Sequence, residues 1–71
     1  MLVSKERLGE IIVRALQGRE LQLLQLTVAV HKQLDRHEGI KGSLSDRVKA
    51  ALRPLVASNR IIEQEGAYRL P

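Results

Sequence analysis

The excess of positive charge lies in residues 41–71, where six basic side chains outnumber three acidic ones and their spacing suggests binding of an anionic ligand. Arg53 shares one face of a predicted helix with Asp46, Ala50 and Ala57, and Arg47 and Lys49 flank that face. Small alanines let a helix approach a surface closely, while arginine and lysine side chains reach phosphate oxygens or base edges. The pattern predicts an anion-binding helix face. The competing interpretation is an ordinary solvated face without a ligand.

Five further polar residues are candidates for the same role. Lys41, Ser43 and Ser45 surround the predicted start of this helix, where backbone N–H groups and hydroxyls bind phosphate; helix capping is the alternative role of the serines. Arg60 and Arg69 follow the helix, and they either flank the same surface or only keep the chain soluble. The predicted binding residues are Lys41, Ser43, Ser45, Arg47, Lys49, Arg53, Arg60 and Arg69.

The sequence predicts no catalytic centre, metal site or cofactor. His31 and His37 are not i and i+4 partners, and with Asp35 and Glu38 they form only a loose cluster, whereas a metal site needs ligands that converge on one point. The serines have no paired base, and the glycines form no phosphate-binding loop. We therefore expect a binding protein rather than an enzyme, with no small-molecule substrate.

Length and composition define the size and charge of the expected fold. The chain has 71 residues, no cysteine and one aromatic residue, Tyr68, so we expect one small domain whose core is aliphatic and includes this tyrosine. The net charge is +4, which suits an acidic partner. No apolar run is long enough to cross a bilayer, and the first residues do not resemble a secretory signal. We expect an intracellular protein of the nucleus, or of the nucleoid and cytoplasm.

Apolar periodicity predicts three helices followed by a β-hairpin. Ser4 is placed to cap the first helix, and Gly18 to close it in the left-handed conformation. Gly9, inside that helix, costs about 1 kcal/mol relative to alanine, which indicates either the close approach of another backbone or a solvated position. The predicted boundaries are about 4–17, 22–37 and 44–58 for the helices and about 60–70 for the hairpin, within one domain over residues 1–71.

Two of these helices have alternative interpretations. The second predicted helix could instead be two elements: in this alternative interpretation, residues 22–26 form a short strand and Thr27 caps a shorter helix. In the third helix, Pro54 predicts a bend or an end near Arg53, because proline removes an internal hydrogen bond.

The order of three helices, with a basic third helix followed by a hairpin, resembles the winged-helix variant of the helix-turn-helix. The segment SLSDRVKAALRPLVASNRIIEQEGAYRL, residues 43–70, is similar to the third helix and wing of winged-helix domains, including linker-histone globular domains. The resemblance implies a mainly α fold with a small β-hairpin. It also implies that the third helix binds the major groove of duplex DNA, in chromatin or transcription regulation. In that pattern the buried helix positions are Val48, Leu52, Leu55 and Val56, the first wing strand begins at Ile61, and the return strand includes Gly66, Tyr68 and Leu70.

A second class of function is also consistent with the sequence. Glu63 and Glu65 make the predicted hairpin acidic, whereas wings that bind DNA are usually basic. Five leucines lie between residues 21 and 34, and any that one small core does not bury form an exposed apolar face. The alternative function is therefore a winged-helix module for protein–protein interaction or dimerisation, which uses the leucine-rich second segment and the acidic hairpin.

Overall fold

The computed structural model describes residues 2–71, which form three helices and a small antiparallel sheet. This confirms the prediction of a mainly helical fold with a hairpin. Within residues 2–71, no helix is both long enough and apolar enough to cross a membrane. In chain order the elements are α1 (Lys5–Ala15), β1 (Leu21–Gln22), α2 (Leu23–Gln33), α3 (Leu44–Ala57), β2 (Ile62–Gln64) and β3 (Ala67–Arg69).

α1 begins at the predicted cap. The Ser4 hydroxyl accepts a hydrogen bond from the backbone N–H of Arg7 at 3.1 Å, and Gly18 has a φ of 73° in the turn that follows the helix. A Cβ built at Gly9 would have one neighbour within 4 Å beyond its own helix backbone, the Cδ1 of Leu55 at 3.8 Å. The expectation that another backbone approaches Gly9 is therefore wrong.

β1 adds a third strand to the predicted hairpin. Leu21 lies opposite Tyr68 and Gln22 opposite Ala67 in an antiparallel pair, which gives the strand order β1-β3-β2. Two residues are too short for an alternation of apolar and polar side chains to be recognised. The prediction of a hairpin alone missed β1 for this reason, and the alternative strand over residues 22–26 was too long.

α2 is shorter than the predicted helix over residues 22–37. Thr27 lies inside α2 and its hydroxyl donates to the carbonyl of Leu23 at 2.8 Å, so the alternative in which Thr27 caps a shorter helix is wrong. The helix ends at Gln33 because Leu34 already has an extended backbone, with a ψ of 137°.

α3 continues through Pro54 and ends at Ala57, so the predicted end near Arg53 is wrong. Pro54 is exposed, and the missing N–H removes only the helical bond to the carbonyl of Ala50. The next turn is intact, because the N–H of Ser58 donates to the Pro54 carbonyl at 3.0 Å. A proline so close to the end of a helix therefore costs one hydrogen bond without ending the helix.

The core lies between the three helices and the hairpin and is aliphatic. Tyr68 is half-buried and packs against the core, as expected from the sequence. Burial of these aliphatic side chains is the main stabilising contribution, since the chain has no disulfide. The buried residues are Leu8, Ile11, Ile12, Ala15, Leu16, Leu26, Val30, Val48, Ala51, Leu52 and Ile61.

The connection between α2 and α3 is attached to the start of the chain. The N–H of Val3 donates to the carbonyl of Gly39 at 2.9 Å, and Arg7 makes two hydrogen bonds to the Glu38 carboxylate, at 3.0 and 3.3 Å. The bond from Arg7 is the main reason that the pKa of Glu38 lies below its ordinary value. These contacts position the loop that leads into α3.

Candidate nucleic-acid interface

The outward side of α3 carries three of the predicted binding residues. Val48 and Leu52 attach the helix to the core and are almost fully buried. Arg47, Lys49 and Arg53 are all exposed. The alternation of buried and exposed positions along α3 thus separates its packing face from its basic face, which also carries the exposed Asp46.

These cations have no acidic partners in the part of the chain that the structure describes, where the ion pairs are Arg7 with Glu38 and Arg69 with Glu20. Unpaired cations on a helix face attract an anionic ligand without first breaking an ion pair. The face is therefore electrostatically available.

The residues at the start of α3 form a second part of the candidate interface. The Nε of Arg47 donates to the carbonyl of Lys41 at 2.9 Å, which fixes the guanidinium beside the loop. Ser43 occupies the position before the helix, but its hydroxyl lies 2.9 Å from the Ser45 hydroxyl and does not bond to the helix backbone. The alternative role of Ser43 as a side-chain cap is therefore wrong. The sequence did not indicate that Lys5 is a neighbour here, because only the packing of α1 on the loop brings it beside Lys41 and Arg47.

A groove between α3 and the hairpin contains the remaining part of the basic face. This α3–hairpin groove has a volume of about 420 Å³ and includes Lys49, Arg53, Glu63 and Tyr68. Glu63 lies directly opposite Tyr68 in the pairing of β2 with β3. Burial raises the pKa of the Tyr68 hydroxyl, and the Glu63 carboxylate raises it further.

The turn of the hairpin is the sequence signal that could have located Glu63. Glu65 and Gly66 have φ values of 53° and 80°, as a two-residue hairpin turn requires. Such a turn fixes the register and places Gln64 opposite Ala67, so Glu63 must lie beside the tyrosine.

The structure does not bring Arg60 and Arg69 to the basic face of α3. Arg60 lines a different groove, between α1 and α3, together with Glu6 and Glu10. The Nε of Arg69 lies 3.8 Å from the Glu20 carboxylate, and its Nη2 donates to the side chain of Gln64 at 3.4 Å. Of the eight predicted residues, these two lie apart from the rest.

An apolar surface lies on α2. Leu24 is 76% exposed and Val28, four residues further on, is 48% exposed, so the two side chains share one helix face. Leu26 is fully buried, and the other leucines of this segment, Leu21, Leu23 and Leu34, are half-buried. The core therefore leaves one leucine of the segment in solvent.

Comparison of the chain with protein-family models, curated proteins and solved structures finds no match. Across residues 2–71, no three His, Cys, Asp or Glu side chains are grouped as a metal ion would require. What the interface binds is therefore inferred from its own residues.

Proposed function

We propose that the chain is a winged-helix nucleic-acid-binding module that binds duplex DNA, with α3 in the major groove and basic side chains on the phosphates. The order of the elements and the strand order β1-β3-β2 support the winged-helix interpretation. A role in chromatin or transcription regulation, in the nucleus or nucleoid, is part of this proposal.

The observation that carries the proposal is the outward face of α3. Arg47, Lys49 and Arg53 are exposed there and have no ion pair with any residue between 2 and 71. Ala57 is exposed and Ala50 half-exposed on the same helix, so little side-chain bulk separates the helix axis from a bound surface. Arginine and lysine on such a face supply both phosphate contacts and contacts to base edges.

Charge reversal on two different helices tests the role of α3. We expect Arg53→Glu to weaken binding to a mixed-sequence duplex by about 1–3 kcal/mol more than Arg14→Glu does, because only Arg53 lies on the proposed contact face. Arg14 is an exposed arginine in the last turn of α1, and its reversal changes the net charge equally. Equal losses in the two variants would show that binding depends on total charge and not on α3.

The salt dependence of binding and the location of the contacts form a second test. With about four to six phosphate contacts, the logarithm of the binding constant should fall with the logarithm of salt concentration at a slope of about −4 to −5. Heteronuclear NMR at two salt concentrations should place the salt-sensitive shifts at residues 41–53. Shifts scattered over every basic side chain would contradict the proposed orientation.

Interaction with a protein partner or a second copy is the other candidate function, and the exposure of Leu24 and Val28 favours it. Glu63 and Glu65 are also exposed, and these two acidic residues are the reason to include the hairpin in the proposed protein-binding surface. If α2 forms a homodimer, Leu24→Lys should shift sedimentation toward the monomer, whereas Gln25→Lys, at an exposed neighbouring position, should not. Sedimentation that shows only monomer at high protein concentration would exclude homodimer formation.

A further inference from the structure

We infer that a pocket at the start of α3 binds a peptide segment of a protein partner in which a carboxylate side chain stands next to a large aliphatic side chain. The pocket lies between Leu2, Val3 and Lys5 on one side and Ile40, Lys41 and Arg47 on the other, and we call it the N-terminal pocket. This inference goes beyond the proposed DNA binding and does not depend on it.

The floor of the N-terminal pocket is aliphatic and partly open to solvent. Leu2 is 63% exposed, and Val3 and Ile40 are half-buried beside it. The volume is about 290 Å³, which is at the small end of ligand pockets. This size suits one aliphatic side chain and its neighbouring group, and burial of that side chain would remove the exposed carbon of Leu2 from water.

The rim of the pocket is cationic. Lys5, Lys41 and Arg47 all line it, whereas no acidic residue does. The ammonium groups of both lysines have no hydrogen bond or ion pair within residues 2–71. The guanidinium of Arg47 is already fixed by its bond to the Lys41 carbonyl, so less conformational entropy is lost when its remaining N–H groups bind a carboxylate.

The combination of rim and floor favours a peptide over nucleic acid as the occupant. A DNA phosphate would satisfy the cations, but the sugar-phosphate backbone has no large apolar side chain to cover Leu2 and Ile40. A segment with glutamate or aspartate beside leucine or isoleucine complements both the charge and the apolar floor. Because Lys41 and Arg47 also belong to the proposed DNA interface, such a peptide would compete with duplex DNA.

The test uses the whole chain and a short peptide, acetylated and amidated at its ends, in which two glutamates alternate with two leucines. Isothermal titration calorimetry should show saturable binding at low salt. Replacing the glutamates by glutamines, or the leucines by serines, should weaken the binding about tenfold in each case, because each change removes one of the two complementary features. If either substituted peptide binds as tightly as the parent, the inference is wrong.

Two matched double variants locate the binding on the protein. Lys5→Ser with Lys41→Ser should weaken peptide binding about tenfold, since two exposed cations are lost from the rim. Lys32→Ser with Arg36→Ser removes the same charge from exposed positions that do not line the pocket, and should leave binding unchanged. Backbone NMR spectra establish that both variants are folded. Equal losses in the two variants would overturn the inference.

NMR mapping distinguishes the occupants. Peptide-induced shifts at Leu2, Ile40 and Arg47 support the inference. It is overturned if these residues shift with protein concentration alone, which would indicate a second copy, or if only duplex DNA shifts them. If the chain binds duplex DNA but does not bind the peptide, the inference about the N-terminal pocket is wrong and the proposed DNA binding is unaffected.

Discussion

Gly9 occupies a position in α1 that does not require a glycine. It lies in the middle of the helix, and a Cβ there would meet the Cδ1 of Leu55 at 3.8 Å, an ordinary van der Waals distance. A glycine at such a position carries a backbone entropy cost without a steric reason. The effect of adding a methyl group should therefore be favourable.

We predict that Gly9→Ala increases the free energy of unfolding by about 1 kcal/mol, measured by urea denaturation. Gly66→Ala is the control, and it should decrease the free energy of unfolding by about 1 kcal/mol because Gly66 has a φ of 80°. Destabilisation by Gly9→Ala would mean that Leu55 cannot accommodate the added methyl group.

The ion pair between Arg7 and Glu38 should make stability depend on pH. Because the folded state lowers the pKa of Glu38, its stabilising contribution is present above the ordinary glutamate pKa and is lost as the pH falls through the lowered pKa of the folded state. We predict that Glu38→Gln lowers stability at neutral pH and flattens its decline in acid. Denaturation curves at several pH values measure this. Glu65→Gln, which removes an acid that has no ion pair between residues 2 and 71, should leave the acid-dependent decline in place.

At the scale of elements, the hairpin places an acid beside the basic face of α3. Glu63 shares the α3–hairpin groove with Lys49 and Arg53. A carboxylate there repels the phosphates of bound DNA. No acidic residue lines the pocket at the start of α3, although Asp46 is exposed in the first turn of the helix.

We predict that Glu63→Gln strengthens binding to a mixed-sequence duplex about twofold to fivefold at low salt, because one repulsive charge is removed. Glu10→Gln, on α1, changes the net charge equally and should have a smaller effect. Titration of labelled duplex with each variant makes the comparison. Weaker binding by Glu63→Gln would mean that the carboxylate positions Lys49 or Arg53 for the contact.

The sequence predicted the elements whose apolar pattern lies within one stretch of the chain. It did not predict features that depend on contact between distant segments. The helices and the basic face of α3 follow from the spacing of apolar residues along the chain, which a helix converts directly into a face. β1 could not be predicted, because two residues gain strand geometry only by pairing with β3. The position of Arg69 beside Glu20 and that of Lys5 beside Lys41 also depend on which elements pack together, and no local pattern contains that information.

For the whole molecule, the small core makes each buried side chain a large fraction of the total stability. A chain of this size has a free energy of unfolding of about 4–10 kcal/mol. Removing several buried methyl groups costs about 2–5 kcal/mol. A single core truncation should therefore remove a large fraction of the free energy of unfolding.

Two leucines on α2 provide a matched pair for this prediction. We expect Leu26→Ala, in the core, to lower the free energy of unfolding by about 2–5 kcal/mol, and Leu24→Ala, at a 76% exposed position, to change it by no more than about 0.5 kcal/mol. Urea or thermal denaturation compares the two. Similar losses would mean that Leu24 is also covered, which would point to self-association through α2.

Tyr68 also gives the molecule an intrinsic spectroscopic reporter. It is the only tyrosine, and the chain has no phenylalanine or tryptophan. The near-ultraviolet absorbance of the protein, its intrinsic fluorescence and its tyrosine ring-proton resonances therefore all originate in the α3–hairpin groove. Entry of a ligand into that groove, or separation of the hairpin from α3, can be followed in unlabelled protein through this one side chain.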